Sequence, residues 1–221
     1  MKRLTILFFL LSGYFFVNAS DQVGFLENRG QLGGSNSPIL FYKEASGAMI
    51  AFRKEGFSIV LSSFESELRA QSEPSGPFQG KVHRIDFDFI DAADSLAIVA
   101  DAPLAAFDNF YLTHNKTSIS QLHEYGRLTY RNVFPGISVV FHAQGNGLKY
   151  DIEVMPEANL DDFRIKIKGA DGLALDAKGQ LVLETSLGTV RDELPAAWEV
   201  ETERQIPVSA SYVLEGDELH Y

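Results

Sequence analysis

The sequence contains no cysteine. That excludes a disulfide framework, a thiolate metal site, a cysteine nucleophile and the acylated cysteine of a bacterial lipoprotein. It also lacks a G-x-S-x-G elbow, a phosphate-binding glycine loop, a dinucleotide fingerprint and an H-E-x-x-H pair, so the motif-bearing hydrolases, nucleotide enzymes and zinc proteases have no support. Basic residues are scarce, 19 against 30 acidic, for a formal charge of −11. No basic stripe offsets this charge, and an acidic surface repels phosphate backbones, so nucleic acid is not an expected partner. Helical periodicity is also missing over any long stretch.

What is present begins with an address. "MKRLTILFFLLSGYFFVNAS" sets Lys2 and Arg3 before an apolar run from Leu4 to Val17, and Val17 and Ala19 fit the small-residue rule of a signal peptidase site. The expectation is a signal peptide over residues 1–19 and a mature chain from Ser20. The rival is a retained anchor, but a spanning helix needs about 20 apolar residues and this run is shorter. Losing Lys2 and Arg3 and no acid moves the formal charge from −11 to −13. The expected product is secreted or held at the cell surface, with no membrane span after cleavage.

The fold class expected for residues 20–221 is all-β, a single antiparallel β sandwich built from consecutive hairpins with little helix. About 200 residues are enough to bury roughly 70% of the unfolded chain's surface without staples. Apolar residues recur at period two, and turn residues interrupt at short intervals. "AMIAFRKEGFSIVLSS" predicts a hairpin about Lys54, Glu55 and Gly56. "VHRIDFDFI" puts Ile85, Phe87 and Phe89 on one face, and "FRIKIKG" does the same with Phe163, Ile165 and Ile167. "LALDAKGQLVLE" sets Leu173 and Leu175 against Leu181 and Leu183, and "AAWEV" and "VSASYVLEG" read as further strands. "RAQSEPSGPFQGK" reads as a surface loop. "DAADSLAIVADAPLAAFDNF" is alanine-rich and reads as a short helix or an irregular crossover. The chain stops at Tyr221 in what reads as mid-strand, as a fragment or a truncated relative would.

"FPGISVVFHAQGNGLKYDIEV" reads as two strands joined about Asn146 and Gly147. A two-residue loop sets Phe141 opposite Ile152, and a four-residue loop sets it opposite Tyr150. Both match apolar with apolar. His142 then lies opposite Asp151 or Lys149. A histidine beside an aspartate invites a catalytic or metal reading, but no nucleophile or third ligand is near in sequence, so an ordinary cross-strand pair is expected.

Among candidate sites, Asp86 and Asp88 share one strand face about 7 Å apart and are the calcium candidates. Calcium needs six or more oxygens, the rest coming from loops such as Asp91 to Asp94. Their alternative role is that of charges on a solvated edge. Glu27, Asn28 and Arg29 in "FLENRGQLGG" are the candidate interaction group; Arg29 could grip a carboxylate bidentately, and the reading preferred here is a tie for the N-terminal strand. Tyr42, Tyr111, Tyr130, Tyr150 and Trp198 could form a sugar-stacking platform. His83, His114, His123, His142 and His220 show no ligand spacing. Asn115, Lys116 and Thr117 match a glycosylation pattern of no expected consequence here. A glycosidase needs only two carboxylates placed by the fold, so the acids leave that reading open.

"GFLENRGQ" at Gly24 to Gln31, together with Tyr130–Ser138, Tyr150–Ala158 and Gly188–Pro195, resembles an uncharacterised family. This is the N-terminal β domain of secreted bacterial proteins that carry SBBP-type β-propeller repeats, or gliding-motility and type IX sorting C-terminal domains. Counterparts of its F-x-E-N-x-G-Q, Y-x-x-V-Y-P-G-I-D, Y-D-x-x-V-x-P-G-A and G-x-V-R-E-x-x-P segments occur here in order. Ser138 replaces the usual aspartate and Glu157 the usual glycine. The resemblance implies an exported module and supplies no catalytic residue. The function expected is a non-enzymatic, structural or adhesive N-terminal module of a larger extracellular protein. The alternatives are a glycan-binding module and, third, a glycosidase-like hydrolase. No cofactor is expected beyond calcium, and the partner would be an extracellular protein or glycan.

Overall fold

The computed structural model describes residues 2–10, 24–45, 47–64, 80–112, 117–144, 147–201 and 204–221. Most of the loop read at Arg69–Lys81, His114, Asn146 and the cleavage point expected before Ser20 lie outside them. The described chain is built from strands: β1 (Lys2–Leu10), β2 (Phe25–Glu27), β3 (Ile39–Ala45), β4 (Ala48–Arg53), β5 (Gly56–Phe64), β6 (Gly80–Phe89), β7 (Ala97–Leu112), β8 (Thr117–Phe134), β9 (Ile137–Gln144), β10 (Gly147–Val154), β11 (Ile165–Lys168), β12 (Gly172–Leu175), β13 (Leu181–Thr185), β14 (Gly188–Asp192), β15 (Ala196–Glu201), β16 (Arg204–Val208), β17 (Val213–Glu215) and β18 (Glu218–His220). One 3₁₀ turn, Leu160–Asp162, is capped by Asn159, whose side chain accepts from the Asp161 N–H. All the ladders are antiparallel.

The sheet forks at β8 and closes on itself. One edge of β8 pairs with β7; the other pairs with β9 through Arg127–Phe134 and with β2 through Glu124 and Tyr125. From β2 the ladder runs β3, β4, β5, β6, β11 and β18, and from β9 it runs to β10. The two branches then meet face to face. Phe141 of β9 lies 5.0 Å from Phe52 of β4 and 5.3 Å from Phe57 of β5, and Tyr130 of β8 lies 5.7 Å from Phe89 of β6. Edge-to-face rings at these distances fill a two-layer core densely.

The period-two reading holds where it was strict. Ile85, Phe87, Phe89, Phe163, Ile165 and Ile167 are all buried. β5 and β6 put Phe57 opposite Phe87, their rings stacked at 4.6 Å. Leu173 pairs with Leu183 and Leu175 with Leu181. The β4–β5 turn closes through Lys54 and Glu55, with Gly56 already in the ladder. In β9–β10, Phe141 stands opposite Tyr150 and Val139 opposite Ile152, the register of the longer loop, and pairing continues to Gln144 and Gly147.

One expectation is overturned. The alanine-rich stretch is no helix or crossover: Ala97–Leu112 is a 16-residue strand laddered to β8. Alanine's helix preference is a few tenths of a kcal/mol per residue, and a continuous cross-strand partner outweighs it. The ladder breaks between Pro103 and Phe107, where proline has no N–H to give. "VSASYVLEG" does carry a short strand, β17 at Val213–Glu215, after Val208 closes β16.

Candidate functional site

Among the described residues a polar cluster gathers in the interior about Asp192. Asp192, the last residue of β14, is fully enclosed, and the Tyr150 hydroxyl of β10 donates to its Oδ2 at 2.9 Å. Tyr221 Oη lies 3.3 Å from Tyr150 Oη, and the Tyr212 and Tyr221 rings pack at 5.5 Å. Burial pushes the Asp192 carboxyl up to about 7, with the hydroxyls of Tyr212 and Tyr150 partly offsetting it. Burial likewise holds the Tyr150 and Tyr221 hydroxyls well above the ordinary value. Two quoted motifs meet here, since Tyr150 opens one and Asp192 sits inside another. Sequence reasoning did not single out Asp192. The available signal was a carboxylate at an inward position of "GTVRD", in step with the buried Val190.

Asp86 and Asp88 do share a face, but cations surround them. Arg53 reaches Asp88 Oδ1 at 2.7 Å and Asp86 Oδ1 at 3.5 Å; Arg84 reaches Asp86 Oδ1 at 2.8 Å and Lys168 reaches Asp88 Oδ2 at 2.9 Å. Ser58 Oγ donates to Asp86 Oδ1 at 2.6 Å. Burial raises the Asp88 carboxyl, and the bonds from Lys168 and Arg53 outweigh that, leaving it below the usual range. Asp86 Oδ1 and both carboxylate oxygens of Asp88 are already bonded to these side chains. Among the described residues no group of three or more histidines and carboxylates stands ready for a metal.

The Glu27, Asn28 and Arg29 group is knotted to itself. Arg29 Nε donates to Glu27 Oε2 at 2.8 Å. The Asn28 amide donates to Leu32 O and Ile39 O, and its Oδ1 accepts from Gly30 N and Leu32 N. Gln31 Nε2 donates to Glu27 O at 2.7 Å. These bonds fix the turn that leaves β2, and the one to Ile39 O ties that turn to β3. The aromatic platform does not assemble either: Tyr42, Tyr130 and Tyr150 are buried, and Tyr111 is 81% exposed. Tyr130 Oη bonds the carbonyls of Arg53 and Gly56 at 2.7 and 3.1 Å.

Of the histidines, His142 Nε2 meets Asp151 Oδ2 at 2.9 Å although its ladder partner is Lys149. His220 lies 3.9 Å from Glu215. His83 makes the contact that sequence did not anticipate. Its Nε2 donates to Gly169 O at 2.7 Å, and its Nδ1 faces Ser186 Oγ at 3.0 Å and accepts from Ser186 N at 3.2 Å. A hydroxyl, an imidazole and an orienting carbonyl in line are the parts of an activated nucleophile. Here the backbone N–H shares the same imidazole lone pair, and the serine lies on an exposed turn between β13 and β14. The same bonds clasp that turn to β6.

Among the described residues no helix is long and apolar enough to cross a membrane. No curated protein and no solved structure matches the chain. A family model described as a domain of unknown function, DUF7948, matches residues 25–221. The chain belongs to the DUF7948 family.

Proposed function

We propose that the domain is a non-enzymatic, exported β module that gives a larger extracellular protein a rigid structural or adhesive unit. The observation that carries this reading is where the polar groups spend their bonds. Arg53, Ser58, Asp86, Asp88 and Lys168 bond to one another across β4, β5, β6 and β11. A catalytic or ligand-gripping constellation instead leaves converging groups partly unmet until substrate arrives. The leader-like start supports export to the medium or the cell surface, and the four ordered motifs support kinship with the modules that precede SBBP-type repeats or type IX sorting domains.

The full chain, expressed with its own leader in a secreting bacterium, tests the reading. The expected product starts at Ser20 by intact mass, gives no saturable signal on a glycan array with or without calcium, and turns over no chromogenic glycoside or ester. Turnover overturns the non-enzymatic reading, and an array hit replaces the structural reading with that of a glycan-binding module. The His83–Ser186 contact favours a second reading, a serine hydrolase. A fluorophosphonate adduct on the peptide carrying Ser186, absent in Ser186→Ala, would establish it in place of the first.

A further inference from the structure

The β15–β16 hairpin is joined to the rest of the sheet through one strand. β15 pairs with β16 and β1, and β1 pairs with β10; among the described residues no ladder links β15 directly to β10. Both run antiparallel to β1, so they lie parallel to each other, two strand spacings or about 9.5 Å apart. The bridging strand, Lys2–Leu10, is the stretch with the leader pattern. Its removal uncovers the edge of β10 over Leu148–Val154 and the edge of β15 over Ala196–Glu201. Backbone groups left unpaired across a gap one strand wide are costly and form a template for an added strand.

We propose that in the exported chain this gap accepts an extended segment of a partner polypeptide, added antiparallel to both β10 and β15, with apolar residues at alternate positions and a cationic or hydroxyl side chain opposite Asp151. The inference rests on the exported-module reading.

The pattern follows from the walls. Leu148, Tyr150, Ile152 and Val154 of β10 and Ala197 of β15 are buried. The register places Leu4 opposite Val154, Ile6 opposite both Ile152 and Ala197, and Phe8 opposite Tyr150, so an occupant needs apolar residues at those steps. The positions between them stand against the other face of β10, which carries Asp151 and Glu153. Asp151 Oδ2 is taken by His142, while its Oδ1 is buried with no hydrogen-bond partner. The residue opposite Asp151 is Leu7, which has no donor. Asp192 Oδ1 is sealed in the same way, and its ladder partner is Leu10. Thus β1 fits by backbone and by the apolar residues Leu4, Ile6 and Phe8 at the inward steps, yet both orphaned carboxylates stand opposite leucines. A lysine, arginine, serine or threonine at the Leu7 step satisfies the first, and the formal charge of −13 left once Lys2 and Arg3 are removed favours the cationic choice.

The test uses the chain exported from its full-length gene. Its mass reports processing first: a secreted product that retains Lys2–Leu10 overturns the leader reading and the slot with it, because the gap then holds the chain's own strand. With a processed product, three synthetic peptides are titrated: Lys2–Leu10 carrying a solubilising lysine tail, its Leu7→Lys variant and its Ile6→Pro variant. The expected result is saturable binding of the first, about tenfold tighter binding of Leu7→Lys through a charge-assisted bond, and none for Ile6→Pro, which lacks a ladder N–H. Hydrogen exchange at 148–154 and 196–201 should slow at least tenfold on binding. A processed chain that lacks β-sheet circular dichroism alone and regains it with peptide also supports the slot. A processed, folded chain whose amides at 148–154 and 196–201 are protected without peptide overturns the slot while the leader reading stands. So does a processed chain that binds none of the peptides.

Discussion

A carboxyl walled off from water keeps its proton well past the pH at which an exposed one loses it, and Asp192 is such a group. Its ordinary value of 3.8 is pushed up to about 7 in the folded state. Between those values the native protein binds a proton that the unfolded chain has released. Stability from this residue is therefore fully present below about pH 4 and lost as pH rises through about 7, a swing of roughly 4 kcal/mol. Asp88 works in the opposite sense: with its value lowered, its contribution is present above the ordinary value and lost as acid protonates it. Urea denaturation should find the wild type less stable at pH 8 than at pH 5, and Asp192→Asn should flatten that difference. A wild-type profile flat from pH 5 to 8 would refute the assignment. Gly56 sets a steric case beside the electrostatic one. Its φ is +150° and a Cβ there would lie 2.0 Å from Phe87 O. Gly56→Ala should cost about 2–4 kcal/mol, read as a lower urea midpoint.

The elements differ in how they are held. β9 is central: Phe141 touches the rings of Phe52, Phe57, Tyr130 and Tyr150, so Phe141→Ala should cost about 3–5 kcal/mol in global unfolding. The outer part of the β7–β8 hairpin rests on a satellite cluster, with Ile119 and Leu122 of β8 against Leu26 and Tyr42. Leu122→Ala should speed hydrogen exchange in residues 107–112 and 117–123 while leaving amides of β4–β6 protected, because local openings need break only the satellite contacts. Uniform acceleration across the molecule would show that the hairpin is no separate unit. The same elements mark what a sequence can reveal. Residues 84–89 and 163–168 were legible because charged and apolar side chains alternate without a break. β7 was not, because its alanines and Pro103 suit several conformations and its partner β8 alone selects one.

At the scale of the molecule, net charge and core act on different properties. A formal charge of −11 sets which partners approach, and at 150 mM salt the chain should not retard duplex DNA at micromolar concentration; salt-sensitive retardation would reveal a local basic surface that the sum conceals. The core sets rigidity. Its Phe and Tyr rings link β4, β5, β6, β8, β9 and β10 into one packed body, the property expected of a module that holds shape.

The sequence alone determined the all-β class, which residues face inward in the regular strands, and the two allowed registers of β9–β10. These depend on neighbours one or two positions apart, where the pleat enforces alternation. Only the tertiary structure decided which of the two registers is used, that Arg53, from a different strand, neutralises Asp86 and Asp88, and that Tyr150 and Asp192, 42 positions apart, share a hydrogen bond. It also made Lys2–Leu10 the bridge between β10 and β15. Such pairings are contacts between strands distant in the chain, and their energies depend on geometry that no local pattern of residues records.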